Sequence, residues 1–512
     1  MTTVEQVPHL RSGEPRGRWV LAVTVLGSGM AFLDATVVNV ALPAIGRDLD
    51  ADLAGLQWTV NAYTLTLAAF ILLGGSAGDR YGRRRVFVVG VVWFAAASML
   101  CGLAPNLPVL VAARALQGVG GALLTPGSLA ILQASFREED RGRVIGSWSG
   151  LAGIAGAVGP LLGGWMVQSA SWRFVFLVNV PIAVLVVAAA LRHVPETSDP
   201  EATGAFDVAG GAVCAVGLGA ITYALVSLGA HGGTAASWIS LSVGVVAAFG
   251  FVRIERTSQS PMLPFGIFDS RLFRAVNAVT FLVYAALGGV FFMLVITLQV
   301  VAGFPPVLAG ASLLPVTALM LVLSGPAGAM GQRIGPRIPL TVGPLLSAAG
   351  TLLLSLVDSR ASYLTDVLPG VALFGLGLSV TVAPLTATVL AAAPVSNAGA
   401  ASGVNNAVAR TGGLLIVAAL PAITGLSGSS YADPAALQSS YTRSMLFCAG
   451  LLALGAALAV LLVRAEVEAG PAPAPVEPLR CPATPCRVHC AVAGPPLQPS
   501  YLTLSQRLPP RD

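Results

Sequence analysis

The chain has 512 residues, 55% of them hydrophobic and only 10% charged, with a mean hydropathy of +0.81. Soluble domains carry about 25% charged residues, so this composition excludes an ordinary globular enzyme and places most of the chain in lipid. All 28 basic residues are Arg and the net charge is +5. No basic patch alternates with aromatic residues, which argues against a nucleic-acid partner.

Residues 1–18 form a polar segment carrying Arg11, Arg16 and Arg18. Apolar runs long enough to cross a bilayer as helices follow at 19–45, 57–77, 86–104, 108–132, 144–168, 173–191, 207–228, 236–253, 273–300, 306–330, 338–357, 364–392, 404–427 and 442–464. They predict an all-α polytopic membrane protein with fourteen transmembrane helices. The first run is too long for a cleavable signal, and the Ala-, Gly- and Pro-rich stretch 465–512 is expected to be a disordered cytoplasmic tail. With both termini in the cytoplasm, only Arg47, Arg173, Arg360 and Arg443 fall in outside loops, and Arg114 and Arg410 fall within spans. A slip of one span would invert this asymmetry, so the positive-inside tendency supports the even count. The bias toward Arg, Ala, Gly, Val and Leu suggests a bacterial coding sequence, hence a bacterial cytoplasmic membrane.

The loop between runs two and three contains Gly75, Gly78, Asp79, Arg80, Gly82, Arg83 and Arg84. Its spacing recurs between runs ten and eleven as Gly328, Gly331, Gln332, Arg333, Gly335 and Arg337. The same offset carries runs one to five close to runs nine to thirteen. Two similar six-helix halves, 19–191 and 273–464, therefore flank an inserted two-helix region, 192–272. Parallel repeats of this kind are a transporter architecture, with substrate held between the halves near the midplane.

Asp34 lies well inside the first run. A carboxylate at that depth is unfavourable by roughly 2.5–3.5 kcal/mol on insertion scales. Gly27, Ala31, Val38 and Ala41 share its helical face, so it should face the bundle and load or release a proton as access alternates. A buried carboxylate with a purely structural role is the competing reading. Arg114, with Gln117 and Gly118 beside it, sits deep in the fourth run and needs an anionic partner; it either tunes a carboxylate or acts as a tether. Arg410, with Asn406 one turn earlier, falls early in the thirteenth run, where snorkelling to the cytoplasmic interface competes with a functional role. The fifth run carries Gly159, Pro160, Gly163 and Gly164, which allow close backbone contact and a kink.

No P-loop is possible without Lys, and no His-Glu-x-x-His helix occurs. The chain is therefore read as a non-enzyme with no cofactor, driven by an ion gradient. Cys481, Cys486, Cys490 and His489 in the tail match no standard metal spacing, and no metal site is expected.

Taken in order, these residues resemble the fourteen-helix drug:proton antiporters of the major facilitator superfamily over roughly residues 19–464. Asp79-Arg-Tyr-Gly-Arg-Arg84 is similar to the superfamily's loop signature, and Leu33-Asp-Ala-Thr-Val-Val-Asn-Val-Ala-Leu-Pro43 to the drug-exporter motif of helix one. Arg114-Ala-Leu-Gln-Gly118 resembles the helix-four motif, and Gly159-Pro-Leu-Leu-Gly-Gly164 the antiporter motif of helix five. Trp172-Arg-Phe-Val-Phe-Leu-Val-Asn-Val-Pro181 resembles the opening of helix six. Ala77, Ala155 and Gln332 depart from the family pattern. The resemblance implies a major facilitator fold and proton-driven export of amphipathic drugs or antibiotics, with Asp34 and Arg114 coupling the proton. It also implies that Asp79 engages a neighbouring helix end as an outward-facing latch. The alternatives are a proton-coupled exporter of an endogenous secondary metabolite, conferring self-resistance, or a transport-dead membrane sensor. The expected partners are a small amphipathic molecule, protons and membrane lipid, with no nucleic acid.

Overall fold

The computed structural model describes residues 10–198, 207–258, 262–263, 265–394, 397–426, 428, 431 and 433–463. The first six spans are α1 (Pro15–Asp48), α2 (Leu53–Tyr81), α3 (Arg83–Gly102), α4 (Leu107–Ser135), α5 (Glu138–Ser169) and the pair α6 (Phe174–Leu177) with α7 (Asn179–His193). The inserted pair is α8 (Val208–His231) and α9 (Ala235–Thr257). The remaining spans are α10 (Arg271–Val300), α11 (Pro306–Ala311) with α12 (Leu314–Ile334), α13 (Arg337–Leu354), α14 (Leu368–Ala391), α15 (Ala398–Thr424) and α16 (Pro434–Leu462). Among the described residues, 14 helical stretches are long and apolar enough to span.

Helix starts follow the sequence chemistry. Asp52, Asn106, Asp207, Thr234 and Ser270 each accept a hydrogen bond from an orphan N–H of the helix they precede. Two spans expected as continuous runs are broken, and the reason is local. Pro181 has no N–H to offer Leu177, and Pro315 none for Ala311, and each helix is interrupted at that point.

Both loops of the repeat bend at a glycine. Gly82 has φ +102° and Gly335 φ +81°, in each case between the end of one span and the start of the next. A side chain is strained there, which is why the repeat keeps glycine at these two points. Gly75 and Gly78, by contrast, have only ordinary contacts; the tight approach is at Gly74, where a Cβ would strike the Ala122 carbonyl of α4.

Within the first six spans α1 packs on α5, and α2 and α3 on α4; within the last six α10 packs on α15 and α16, and α13 on α14. The inserted α8 lies on both α2 and α15, along the seam between the halves, while α9 packs chiefly on α8 and turns Val246 and Phe249 outward. Between described residues, the side-chain hydrogen bonds joining the halves all lie at the end away from the arginine-rich loops. Gln57 donates to the carbonyls of Val417 (2.6 Å) and Ala418 (3.0 Å), Gln299 to Val40 (3.0 Å), and Tyr431 to Ala51 (2.9 Å). An apolar cluster containing Val37, Leu42, Leu53 and Leu56 runs into α10 and α15 at that same end.

Helix α5 shows the asymmetry most clearly. A Cβ on Gly159 would strike Thr36 of α1, and on Gly164 the Pro306 carbonyl of α11; from the other side, one on Gly310 would strike the Pro160 carbonyl. A Cβ on Gly146, Gly150 or Gly153 would meet nothing within 4 Å. Helix α5 is thus wedged at one end and open toward the arginine-rich end.

Candidate functional site

Asp34 lies on the buried face of α1, and Arg114 on the buried face of α4, with relative exposures of 0% and 1%. Arg114 Nη1 is 2.6 Å from Asp34 Oδ2 and donates at 2.7 Å to Gln117 Oε1. Gln117 Nε2 donates to the other Asp34 oxygen at 2.8 Å, so both carboxylate oxygens are occupied. Arg114 Nε donates to the Thr59 carbonyl of α2 at 3.0 Å, and its guanidinium stacks 4.4 Å above the Tyr63 ring. The three residues singled out in the first and fourth runs thus form one closed triangle. Gly118 explains how α2 comes so near: a Cβ there would strike Thr66 and the Tyr63 carbonyl.

The triangle continues into residues that the sequence reading passed over. Gln117 Nε2 also reaches Ser98 Oγ on α3 at 3.2 Å, and Asn179 Nδ2, at the start of α7, donates to the same oxygen at 3.0 Å. Ser98 in turn donates to the Phe176 carbonyl at 2.9 Å. Asn179 belongs to the Trp172–Pro181 stretch that could have signalled it. Ser98 and Thr59 carry no such signal.

A buried ion pair is stable only while both charges and their lone pairs are satisfied. Protonating Asp34 would cancel the charge facing Arg114, and the arginine would then rely on the Thr59 carbonyl and Gln117. The arrangement ties the Asp34 carboxylate to contacts on α1, α2, α3, α4 and α7.

The arginine-rich loop is built separately. Asp79 Oδ1 accepts from Arg83 Nε at 2.9 Å, an i,i+4 pair with Asp79 about 40% exposed. Arg80 lies in the last turn of α2, where the helix dipole favours a cation. The backbone N–H of Arg84 donates to Glu196 Oε1 at 3.1 Å, Arg83 N–H to the Thr197 carbonyl at 2.8 Å, and the Arg84 side chain to the Val194 carbonyl at 3.1 Å. Glu196 therefore caps α3 from the segment after α7, a role the sequence reading missed. In the second loop Arg333 ends α12 and Arg337 begins α13, on either side of Gly335. The tail residues Cys481, Cys486, Cys490 and His489 lie outside the described residues.

The start of the thirteenth span differs from the expected one. Helix α15 begins at Ala398, well before the expected run, so Arg410 is near the middle of a 27-residue helix. At 1.5 Å per residue it stands roughly 18 Å from the helix start, which favours the functional reading over snorkelling. Asn406, one turn earlier, is exposed.

A family profile described as "Major Facilitator Superfamily" matches residues 24–418. The chain is 36% identical to "Multidrug resistance protein Stp" of Mycobacterium tuberculosis over 421 residues, 81% of this chain and 77% of that protein. It is 36% identical to "Puromycin resistance protein pur8" of Streptomyces alboniger over 472 residues, 89% and 93% of the two chains. It is likewise 36% identical to the "Tetracenomycin C resistance and export protein" of Streptomyces glaucescens over 81% of this chain and 77% of that one. Among solved structures, the peptide transporter POT in complex with sulfate matches with TM-score 0.63 at 16% identity, covering 88% of this chain and 96% of that chain. A bacterial homologue of the human lysosomal transporter Spinster, inward-facing and occupied, matches with TM-score 0.61 at 16% identity, over 88% and 98%. At that identity the structures speak for the fold alone, whereas the profile and the curated relatives speak for the family. This chain belongs to the Major Facilitator Superfamily, as a fourteen-helix transporter.

Proposed function

We propose that the protein is a proton-driven antiporter that exports amphipathic drugs or antibiotics by alternating access. The relatives named for drug resistance and antibiotic export support the cargo class. The observation that carries the coupling is the buried Asp34–Arg114–Gln117 triangle. Among the described residues it contains the one acid deep within a span, and it ties that acid to helices of the first half that must rock against the second. Loss of the Asp34 charge on protonation, and its return on release, biases the two access states in opposite senses. The arginine-rich end is taken as cytoplasmic, with both termini on that side, on the positive-inside argument. The wedged α5–α11 contact and the Gln57, Gln299 and Tyr431 hydrogen bonds then close the outside, which supports an inward-facing state.

The test is drug uptake into inside-out proteoliposomes under an imposed pH gradient. Wild type is expected to accumulate drug and dissipate the gradient, and Asp34→Asn to bind drug but not accumulate it. Equal gradient-driven accumulation by Asp34→Asn and wild type sinks the coupling assignment.

A further inference from the structure

Arg410 is a half-buried cation at mid-helix, and the Asp34–Arg114 pair leaves it without an acid. Between described residues it makes no hydrogen bond and no ion pair. Its position on the seam follows from the register of α2 against α15. Leu72 packs against Gly403 at one level, and Gln57 bonds to Val417 and Ala418 at the other. Arg410 falls midway between those levels, and Asn61 lies about one helical turn from it, toward the Gln57 level. Asn61 is fully buried, yet neither its amide nitrogen nor its amide oxygen has a partner. Arg410 stands seven residues from both Gly403 and Val417, so it lies on the stripe of α15 that faces α2, where the two halves meet.

An unpaired arginine and an unpaired amide about a turn apart are expensive when the halves close over them. Water can satisfy the guanidinium while the cavity is open, but occlusion removes that water, and an uncompensated charge in low dielectric is strongly unfavourable. A cargo carrying an oxyanion would supply the missing partner, and its neighbouring polar atoms could meet the Asn61 amide. A cationic cargo would add repulsion. We propose that Arg410 and Asn61 form the recognition point for an anionic group, a carboxylate or phenolate, on an otherwise apolar cargo. This rests on the export reading above and narrows its substrate class to amphipathic organic monoanions.

Three probes sharing one fluorophore test it: dansylglycine (anionic), dansylamide (neutral) and dansylcadaverine (cationic). Binding to the purified full-length chain in detergent is measured by equilibrium dialysis against protein-free micelles, with no pH gradient present. Wild type is expected to favour the anion, then the neutral probe, then the cation. Arg410→Gln should weaken dansylglycine about 10- to 100-fold, the size of one charge-assisted hydrogen-bonded contact, and leave dansylamide within about twofold. Arg410→Lys should retain most of the anion preference. A wild-type preference for the cation, no binding of any probe, or equal losses for all three probes in Arg410→Gln overturns the proposal. The order in wild type decides the matter even where a variant fails to fold. Because the assay needs no proton gradient, its failure is distinct from a failure of Asp34 coupling in proteoliposomes.

Discussion

Gly82 and Gly335 occupy equivalent turns with similar backbone angles, yet the loops around them are wired differently. Around Gly82, Asp79 pairs with Arg83 and Glu196 caps α3; at the place of Asp79 the second loop has Gln332. The same offset carries Asp34 to Leu287, Arg114 to Val367 and Gln117 to Gly370. The polar triangle of the first half thus becomes apolar packing in the second, where Val367 is fully buried. Backbone bends come from sterics that any repeat must preserve, whereas buried charge is unfavourable and stays only where it has work to do. On the proposed reading the first half holds the proton-coupling chemistry, and the second contributes shape and Arg410.

Arg114→Leu strikes this contrast hardest. It leaves Asp34 buried and unpaired, and should destabilise the protein by about 3–5 kcal/mol, read as a lowered unfolding midpoint in detergent. Arg114→Leu with Asp34→Asn should restore part of that loss, because a neutral amide no longer needs the arginine; a double variant as unstable as Arg114→Leu alone would break the argument. Next come Asp79→Ala and Gln332→Ala. Transport per inserted molecule should fall several-fold for the first and stay near wild type for the second, with abundance checked by immunoblot; equal losses would mean that both loops latch. Gly82→Ala and Gly335→Ala should each destabilise by about 1–3 kcal/mol from the strained backbone. A Cβ on Gly82 would also meet Glu196 Oε1 at 2.6 Å. Gly82→Ala combined with Glu196→Ala should therefore be less than additive, while Gly335→Ala with Glu196→Ala adds. The smallest effect is that of Glu196→Ala alone, about 0.3–1 kcal/mol for a lost N-terminal anion, measurable as a small thermal shift.

The span count, the deep Asp34 and Arg114, and the turn glycines were legible because each is a strong local exception: a charge within an apolar run, or a glycine at a fixed spacing. The partners of the triangle were not. Thr59 acts through its carbonyl and Ser98 through one hydroxyl, and apolar helices carry many such residues without consequence. The depth of Arg410 was hidden for a different reason. The first turns of α15, Ala398 to Asn406, are small and weakly hydrophobic, so hydropathy places the helix start too late. The breaks before α7 and α12 were visible as prolines, but a missing N–H allows either a kink or a break, and neighbouring contacts decide which.

The mid-helix arginine also bears on what powers the cycle. If one proton enters for each monoanion that leaves, a positive charge moves inward and a negative one outward, so two charge equivalents cross the membrane per turnover. At about 2.3 kcal/mol per charge per 100 mV, that draws roughly 4.6 kcal/mol from the electrical potential, twice what a neutral cargo draws. A cell whose pH gradient had collapsed but whose voltage persisted would still expel such a cargo, and export would register as an inward current.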